Sequence, residues 1–253
     1  MCLINFSFQH HPNYQFILAG NRDEFYNRPT KPLYWWNDHI LAGQDLKDGG
    51  TWMGITRNGD FVALTNYRDL THIKTDAPSR GIILKKFLDG ELPLEEMHRF
   101  LRTQGQLYNG FNIIYGNKEE LFYFSNVSGK LQQLYPGIYG LSNAFLDTPW
   151  TKLVTSKKNF TSLIGEPTID EDAIIASLAN EDPAPDAELP STGASHDLEK
   201  RLSAMFIKSE NYGTRITTFV SIDNHDHVVY REKSFIPPHD IRIEFNIKNR
   251  LAG

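Results

Sequence analysis

The only cysteine of the chain, Cys2, stands directly behind Met1. Removal of Met1 makes Cys2 the amino terminus, and one residue then carries both a thiol and a free α-amine. An α-amine has a reference pKa of about 7.7–8.0, so near neutral pH part of it is unprotonated and can take the thiol proton. Nucleophile and general base then share one residue, as in the amino-terminal nucleophile variants of catalytic triads. With Met1 retained, Cys2 is an ordinary small residue at the start of a core strand.

Two apolar runs position this residue. Cys2–Phe8 and Phe16–Glu24 flank the polar turn His10-His11-Pro12-Asn13 and are predicted to form a β-hairpin. A two-residue loop at Pro12-Asn13 places Cys2 opposite Asp23, and a four-residue loop places it opposite Asn21. Directly opposed residues share a face, so either register sets a polar group of the second strand beside the thiol. A one-residue slip instead opposes Cys2 to Arg22. Ile4, Phe6 and Phe8 alternate with Leu3, Asn5 and Ser7, and both faces of the pair are apolar enough to be covered.

Downstream, residues 25–38 read as loop. Short strands follow at Ile40–Ala42, Trp52–Thr56 and Phe61–Tyr67, the last two joined by the turn Arg57-Asn58-Gly59-Asp60. Helices are predicted over Arg80–Leu88 and Leu92–Arg102, strands over Phe111–Tyr115, Leu121–Phe124, Leu131–Leu134 and Ile138–Leu141. Further helices run from Pro149 to about Leu163, over Asp170–Leu178 and over His196–Phe206. Strands Thr214–Ile222, Val228–Phe235 and Ile241–Ile247 close the chain. Asn180–Ala194, rich in Pro, Asp, Ala and Ser, is predicted to be a mobile loop. Strands, helices, strands, helices, strands is the order of an α+β protein with helices outside two packed sheets, an αββα four-layer sandwich, in one domain spanning 1–253.

Composition narrows the functional classes. A net charge of −5 gives no electrostatic reason to expect nucleic acid or an anionic membrane surface as partner. One cysteine excludes an intramolecular disulfide and a multi-cysteine metal site. No secretory leader is visible, no run approaches the roughly 20 apolar residues of a membrane span, and the expectation is a cytoplasmic protein. His225-Asp226-His227 and His10-His11 read as turns rather than metal ligands. Trp35-Trp36 either lines a pocket for an apolar ligand or caps the core. Gly49-Gly50 lacks the strand–loop–helix setting of a phosphate-binding loop.

Asn21-Arg22-Asp23-Glu24 resembles the signature of the NRDE family, whose eukaryotic member is the Transport and Golgi organisation 2 protein. The resemblance extends through Gly49-Gly50-Thr51-Trp52-Met53-Gly54, Ala63-Leu64-Thr65-Asn66-Tyr67, Tyr108-Asn109-Gly110-Phe111-Asn112, Tyr139-Gly140-Leu141-Ser142-Asn143, Thr148-Pro149-Trp150 and Tyr212-Gly213-Thr214-Arg215. That family is in turn similar to the amino-terminal nucleophile (Ntn) hydrolases that cleave bile-salt and penicillin V amides. The similarity implies an Ntn-hydrolase-like fold and catalytic roles for specific residues. Cys2 is then the nucleophile, Asp23 the holder of amine and thiol, Asn66 the oxyanion asparagine, Asn143 a second active-site asparagine and Arg215 a late arginine. Those hydrolases often carry an arginine three residues before the aspartate; here Gly20 stands there, and Arg22, the candidate substitute, points to the other face if the strand stays regular. The implied reaction is hydrolysis of a small-molecule amide and needs no cofactor. The resemblance also implies a second, non-catalytic reading, intracellular haem or lipid trafficking, with the cleft holding the ligand. Haem iron accepts Cys, His, Met or Tyr.

Overall fold

The computed structural model describes residues 2–248. Two antiparallel sheets stack face to face. The first orders its strands β10-β1-β2-β11-β12-β13, formed by Gly137–Leu141, Cys2–Phe8, Tyr14–Phe25, Tyr212–Asp223, His227–Phe235 and Pro238–Asn246. The second runs β3-β4-β5-β6-β7-β8-β9 through Thr30–Trp36, Ile40–Asp45, Met53–Thr56, Phe61–Asn66, Phe111–Gly116, Leu121–Ser125 and Lys130–Leu134. Between them lies a core in which Ile4, Phe6, Phe16 and Leu18 of one sheet meet Leu41, Ile55, Phe61 and Ile114 of the other.

Helices cover both outer faces. Helices α1 (Gly81–Leu88) and α2 (Leu94–Gln104) bury Ile83, Leu84, Met97 and Leu101 on Val62, Leu64 and Ile113 of the second sheet. Helices α3 (Thr151–Leu163) and α4 (Glu171–Ser177) bury Leu153, Phe160, Ile174 and Ile175 on Leu3, Ile17, Ala19 and Phe219 of the first. A last helix, α5 (His196–Leu202), precedes β11. This is the αββα sandwich expected from the order of elements.

Two local expectations are corrected. Residues 25–38 are not all loop, because Thr30–Trp36 is an edge strand. Its pairing with β4 slips between Lys31 and Tyr34, around Pro32, and an edge position tolerates the missing N–H. Leu33 turns its own N–H away from the ladder to Glu232 Oε1 of the opposite sheet, at 3.0 Å. Trp36 is buried and donates to the Ala42 carbonyl, and Trp35 packs edge-on to Phe245, so the tryptophan pair caps the core.

The β1–β2 register is the second. Cys2 opposes Arg22, not Asp23 or Asn21. The reason lies in the turn. Gln9 takes a left-handed φ of 46° and its N–H closes on the Gln15 carbonyl at 2.7 Å. The His11 ring folds into the loop, accepts the Asn13 N–H at 3.0 Å and meets the Glu166 carbonyl at 3.2 Å. Holding that ring inside fixes an odd-numbered loop, and the register shifts by one residue relative to both even-numbered alternatives.

Candidate active site

The register decides what surrounds Cys2. Cys2 and Arg22 share the face between the sheets, while Asp23 points to the helix-covered face. Arg22 is buried; its guanidinium stacks over the Trp52 ring at 4.1 Å and its Nη2 lies 3.6 Å from Glu24. Gly20 sits on the same face, and a Cβ there would lie 2.7 Å from the Leu3 carbonyl oxygen and 3.1 Å from Ile4. No side chain fits at that point, and Arg22, on the same face as the thiol, is a guanidinium whose charge lowers the thiol pKa. Cys2 is half-buried. Burial pushes its thiol pKa up, with Arg22 and a backbone hydrogen bond from Asp23 acting the other way.

Asp23 is buried, and burial raises its carboxyl pKa against the lowering pull of Lys152 and Thr214. Thr214, opposite Asp23 on β11, donates from Oγ1 to Asp23 Oδ1 at 2.6 Å. The same hydroxyl accepts the Ile207 N–H at 2.8 Å, which leaves its proton for the carboxylate. Two residues before Asp23 on the same face, Asn21 ties β2 to the helix layer by donating to the Leu178 and Met205 carbonyls.

Asn66 and Asn143 meet beyond the strand ends. Asn143 is fully buried; its Nδ2 donates to the Asn66 carbonyl at 2.9 Å, and its own carbonyl accepts the Arg68 N–H at 2.7 Å. Next to it, Ser142 Oγ donates to the Cys2 carbonyl at 3.3 Å. Asn143 therefore locks Asn66 in place, and Ser142 locks the backbone of Cys2. Asn66 lines a cavity of about 990 Å³ together with Glu24, Tyr67, Arg68, Arg80 and Tyr212. Burial dominates the pKa of Arg80 and of Tyr212, and each also feels the charge of the Cys2 thiolate; Cys2 itself is not among the residues that line this cavity.

Arg215 is not brought to this cluster. It occupies the bulge between Thr214 and Ile216 and spends its guanidinium on the carbonyls of Phe25, Arg28 and Ile236 and on Thr30 Oγ1. That arginine fastens the loop after β2 to the β12–β13 turn. The histidine turns stay clear as well: Asp226 pairs with Lys118 at 2.5 Å and His227 with Glu244 at 2.9 Å. Among the described residues no three His, Cys, Asp or Glu side chains gather as a metal site.

Residues that no sequence motif marks lie behind Asp23. Arg68 and Glu199 form an ion pair at 2.8 Å with both side chains buried, and Arg68 lies over the Trp150 ring at 4.9 Å. Lys152, 4% exposed, donates from Nζ to the Leu202 carbonyl at 2.9 Å, and Arg68 Nη2 reaches the same oxygen at 3.3 Å. One signal could have found Lys152: it stands on one helical stripe with Ser156 and Phe160, both buried. Removing one partner of a buried pair strands the other charge, so Arg68→Met is expected to cost about 3–5 kcal/mol of stability. Urea denaturation checks this; a loss under about 1 kcal/mol, the value of an exposed pair, would contradict it.

Residues 1–237 match the family described as Transport and Golgi organisation 2. The chain is 35% identical over 269 residues to the mouse (Mus musculus) Transport and Golgi organization 2 homolog, covering 97% of each chain. It is 35% identical over 259 residues to the human (Homo sapiens) homolog, covering 93% of this chain and 94% of the other. Among solved structures, a conjugated bile acid hydrolase from Clostridium perfringens superimposes with a TM-score of 0.53 at 10% identity, over 98% of this chain and 93% of its own. At that identity the likeness speaks for the fold alone, an Ntn-hydrolase sandwich. By its sequence over nearly its whole length, the chain belongs to the Transport and Golgi organisation 2 family.

Proposed function

We propose that the protein is a cysteine amidohydrolase of the Ntn type, acting on a small acyl amide through Cys2 after removal of Met1. The carrying observation is the division of labour at the end of β1. Thiol and Arg22 share the inter-sheet face, Asp23 sits on the opposite face, and the Cys2 backbone lies between them. The carboxylate lies on the other face from the thiol, whose pKa its charge raises, and it suits the backbone nitrogen, which is the α-amine once Met1 is gone.

The neutral amine takes the thiol proton and becomes an ammonium beside Asp23. The thiolate, facing Arg22, attacks the amide carbonyl. The Asn66 side-chain amide, with backbone N–H groups, receives the oxyanion; one such donor is worth about 2.7–4 kcal/mol. Collapse breaks the C–N bond, and the leaving amine takes the proton back from the ammonium. Water, deprotonated by the same amine, then hydrolyses the thioester and restores the thiol. A cytoplasmic setting, where thiols stay reduced, suits this chemistry.

The test is an activated acyl ester or amide offered to protein with a free Cys2 amine, read by peptide mass spectrometry. The expected result is an acyl adduct on Cys2 that decays in water. No adduct with any probe in such a series overturns the reading.

One observation favours a second reading, carriage of haem or another amphipathic ligand. Among the described residues the cavity is lined by Arg28, Lys47, Arg68, Lys74, Arg80 and Arg201 against Glu24 and Asp69, in a chain of net charge −5. Basic side chains mixed with Tyr67 and Tyr108 suit an anionic, ring-bearing cargo. This reading needs no free amine. A haem titration without a Soret shift sinks it.

A further inference from the structure

Arg22 is buried, yet few polar contacts hold its guanidinium. Its charged partner, Glu24, stands 3.6 Å from Nη2, beyond hydrogen-bond length, and is shared with Arg28 at 3.8 Å. Nη1 is buried without a hydrogen-bond partner among the described residues. What holds the group is the Trp52 ring, whose centroid lies 4.1 Å from the guanidinium carbon. A cation over an indole face gains most when both are out of water. The ring is fixed in turn at its edge. A Cβ at Gly43 on β4 would lie 2.5 Å from both Cζ2 and Cη2 of Trp52, so the indole packs where only a glycine leaves room. The Trp52 carbonyl accepts the Leu64 N–H at 3.0 Å. Its Nε1 is buried and has no hydrogen-bond partner among the described residues. A buried indole ordinarily finds a partner for that N–H, so here the face of the ring, not its polar end, sets its place.

We propose that Trp52 is a positioning residue for the Cys2 thiol: its indole face, backed by Gly43, keeps the Arg22 guanidinium at the cross-strand position opposite Cys2. Directly opposed residues carry their Cβ atoms about 4.5–5.5 Å apart, and Cys2 and Arg22 are such a pair. A cation held there favours the thiolate. Burial works against the thiolate, as does Asp23 on β2, while the amino terminus works with Arg22. Arg80 ahead of α1, Lys152 on α3 and Tyr212 on β11 also feel the thiolate charge, besides their own burial. This deepens the hydrolase reading and rests on it for the use made of the thiolate.

The test is the ultraviolet absorbance of the thiolate followed against pH, with Cys2→Ser as the blank. The chain has one cysteine, so the signal has one source. Trp52→Leu is expected to raise the thiol midpoint by about one pH unit or more. Arg22→Gln, which leaves the indole in place, is expected to do the same. Trp52→Phe keeps a ring face for the guanidinium and should hold the midpoint within about half a unit of the parent. Leu and Phe both shrink the side chain, so a packing role alone would move the two variants alike. In the double variant Arg22→Gln, Trp52→Leu the two shifts should not add. In protein that hydrolyses a probe, Trp52→Leu should lower kcat near neutral pH with little change in KM, since Trp52 is not among the residues that line the cavity. An unchanged midpoint in folded Trp52→Leu, equal shifts in the Leu and Phe variants, or an unchanged midpoint in Arg22→Gln overturns the proposal. The titration reads out whether or not any amide is cleaved, so failure of the positioning role and failure of the hydrolase reading are separate results.

Discussion

Cys2→Ser, in protein freed of Met1, is expected to lower acyl transfer by about 10⁴-fold or more while leaving the fold intact. The hydroxyl is close in size to the thiol, and residue 2 is half-buried at a strand end, so stability should change by less than about 1 kcal/mol. Chemistry should change far more. An amine of pKa about 8 can draw a proton from a thiol, whose own reference value is about 8.5, but is a far weaker match for an alcohol. The Cys2 thiol is itself pushed up by burial, so the rate in the parent protein should climb with pH as thiolate forms. Hydrolysis surviving in Cys2→Ser at more than about a tenth of the parent rate would assign the reaction to another group.

Asp23→Asn carries the second large effect. In a triad, exchanging the orienting carboxylate for its amide costs about 10⁴-fold with geometry preserved. Here the amide keeps an oxygen to accept from Thr214 Oγ1, which lies 2.6 Å from Asp23 Oδ1. What it loses is the charge that favours an ammonium at residue 2. The proton passed from thiol to amine then has nowhere favourable to rest, and kcat should fall with little change in KM. A fall confined to kcat/KM through a raised KM would instead mean that Asp23 shapes the cavity. The milder Thr214→Val removes one donor from the carboxylate and should shift the acid limb of the pH–rate profile upward. The sign follows from hydrogen bonds to the charged form holding a carboxyl pKa down.

The sandwich is legible in the sequence because both central strands are apolar on alternate faces: Phe6 and Leu18 look into one layer, Leu3 and Ile17 into another. The register is not. It depends on whether the loop holds an odd or even number of residues, and one ring decides that, His11 folding against Tyr14 at a centroid distance of 5.1 Å. No pattern in the strands encodes that choice. Strand Thr30–Trp36 is hidden because Pro32 breaks its ladder and the Leu33 N–H finds its partner outside it. Of the candidate site, Cys2 is proposed from chemistry alone, and Asn66 and Asn143 from resemblance. Arg215 comes from resemblance too, and its guanidinium is given over to the loop frame. Arg68 and Lys152 escape notice because a basic residue in an amphipathic stretch ordinarily reads as solvent-facing. Their burial depends on α5 folding back onto Arg68 and α3, where Glu199 and the Leu202 carbonyl meet them, a long-range event that no local window contains.

One measurement bears most directly on whether the sulfur at residue 2 is a nucleophile served by its own amine: the intact mass of the protein purified from its native cell, before and after an acylating probe. The expected result is a chain lighter by one methionine residue, gaining one acyl group that maps to Cys2. A chain that keeps Met1 and takes up no acyl group contradicts it.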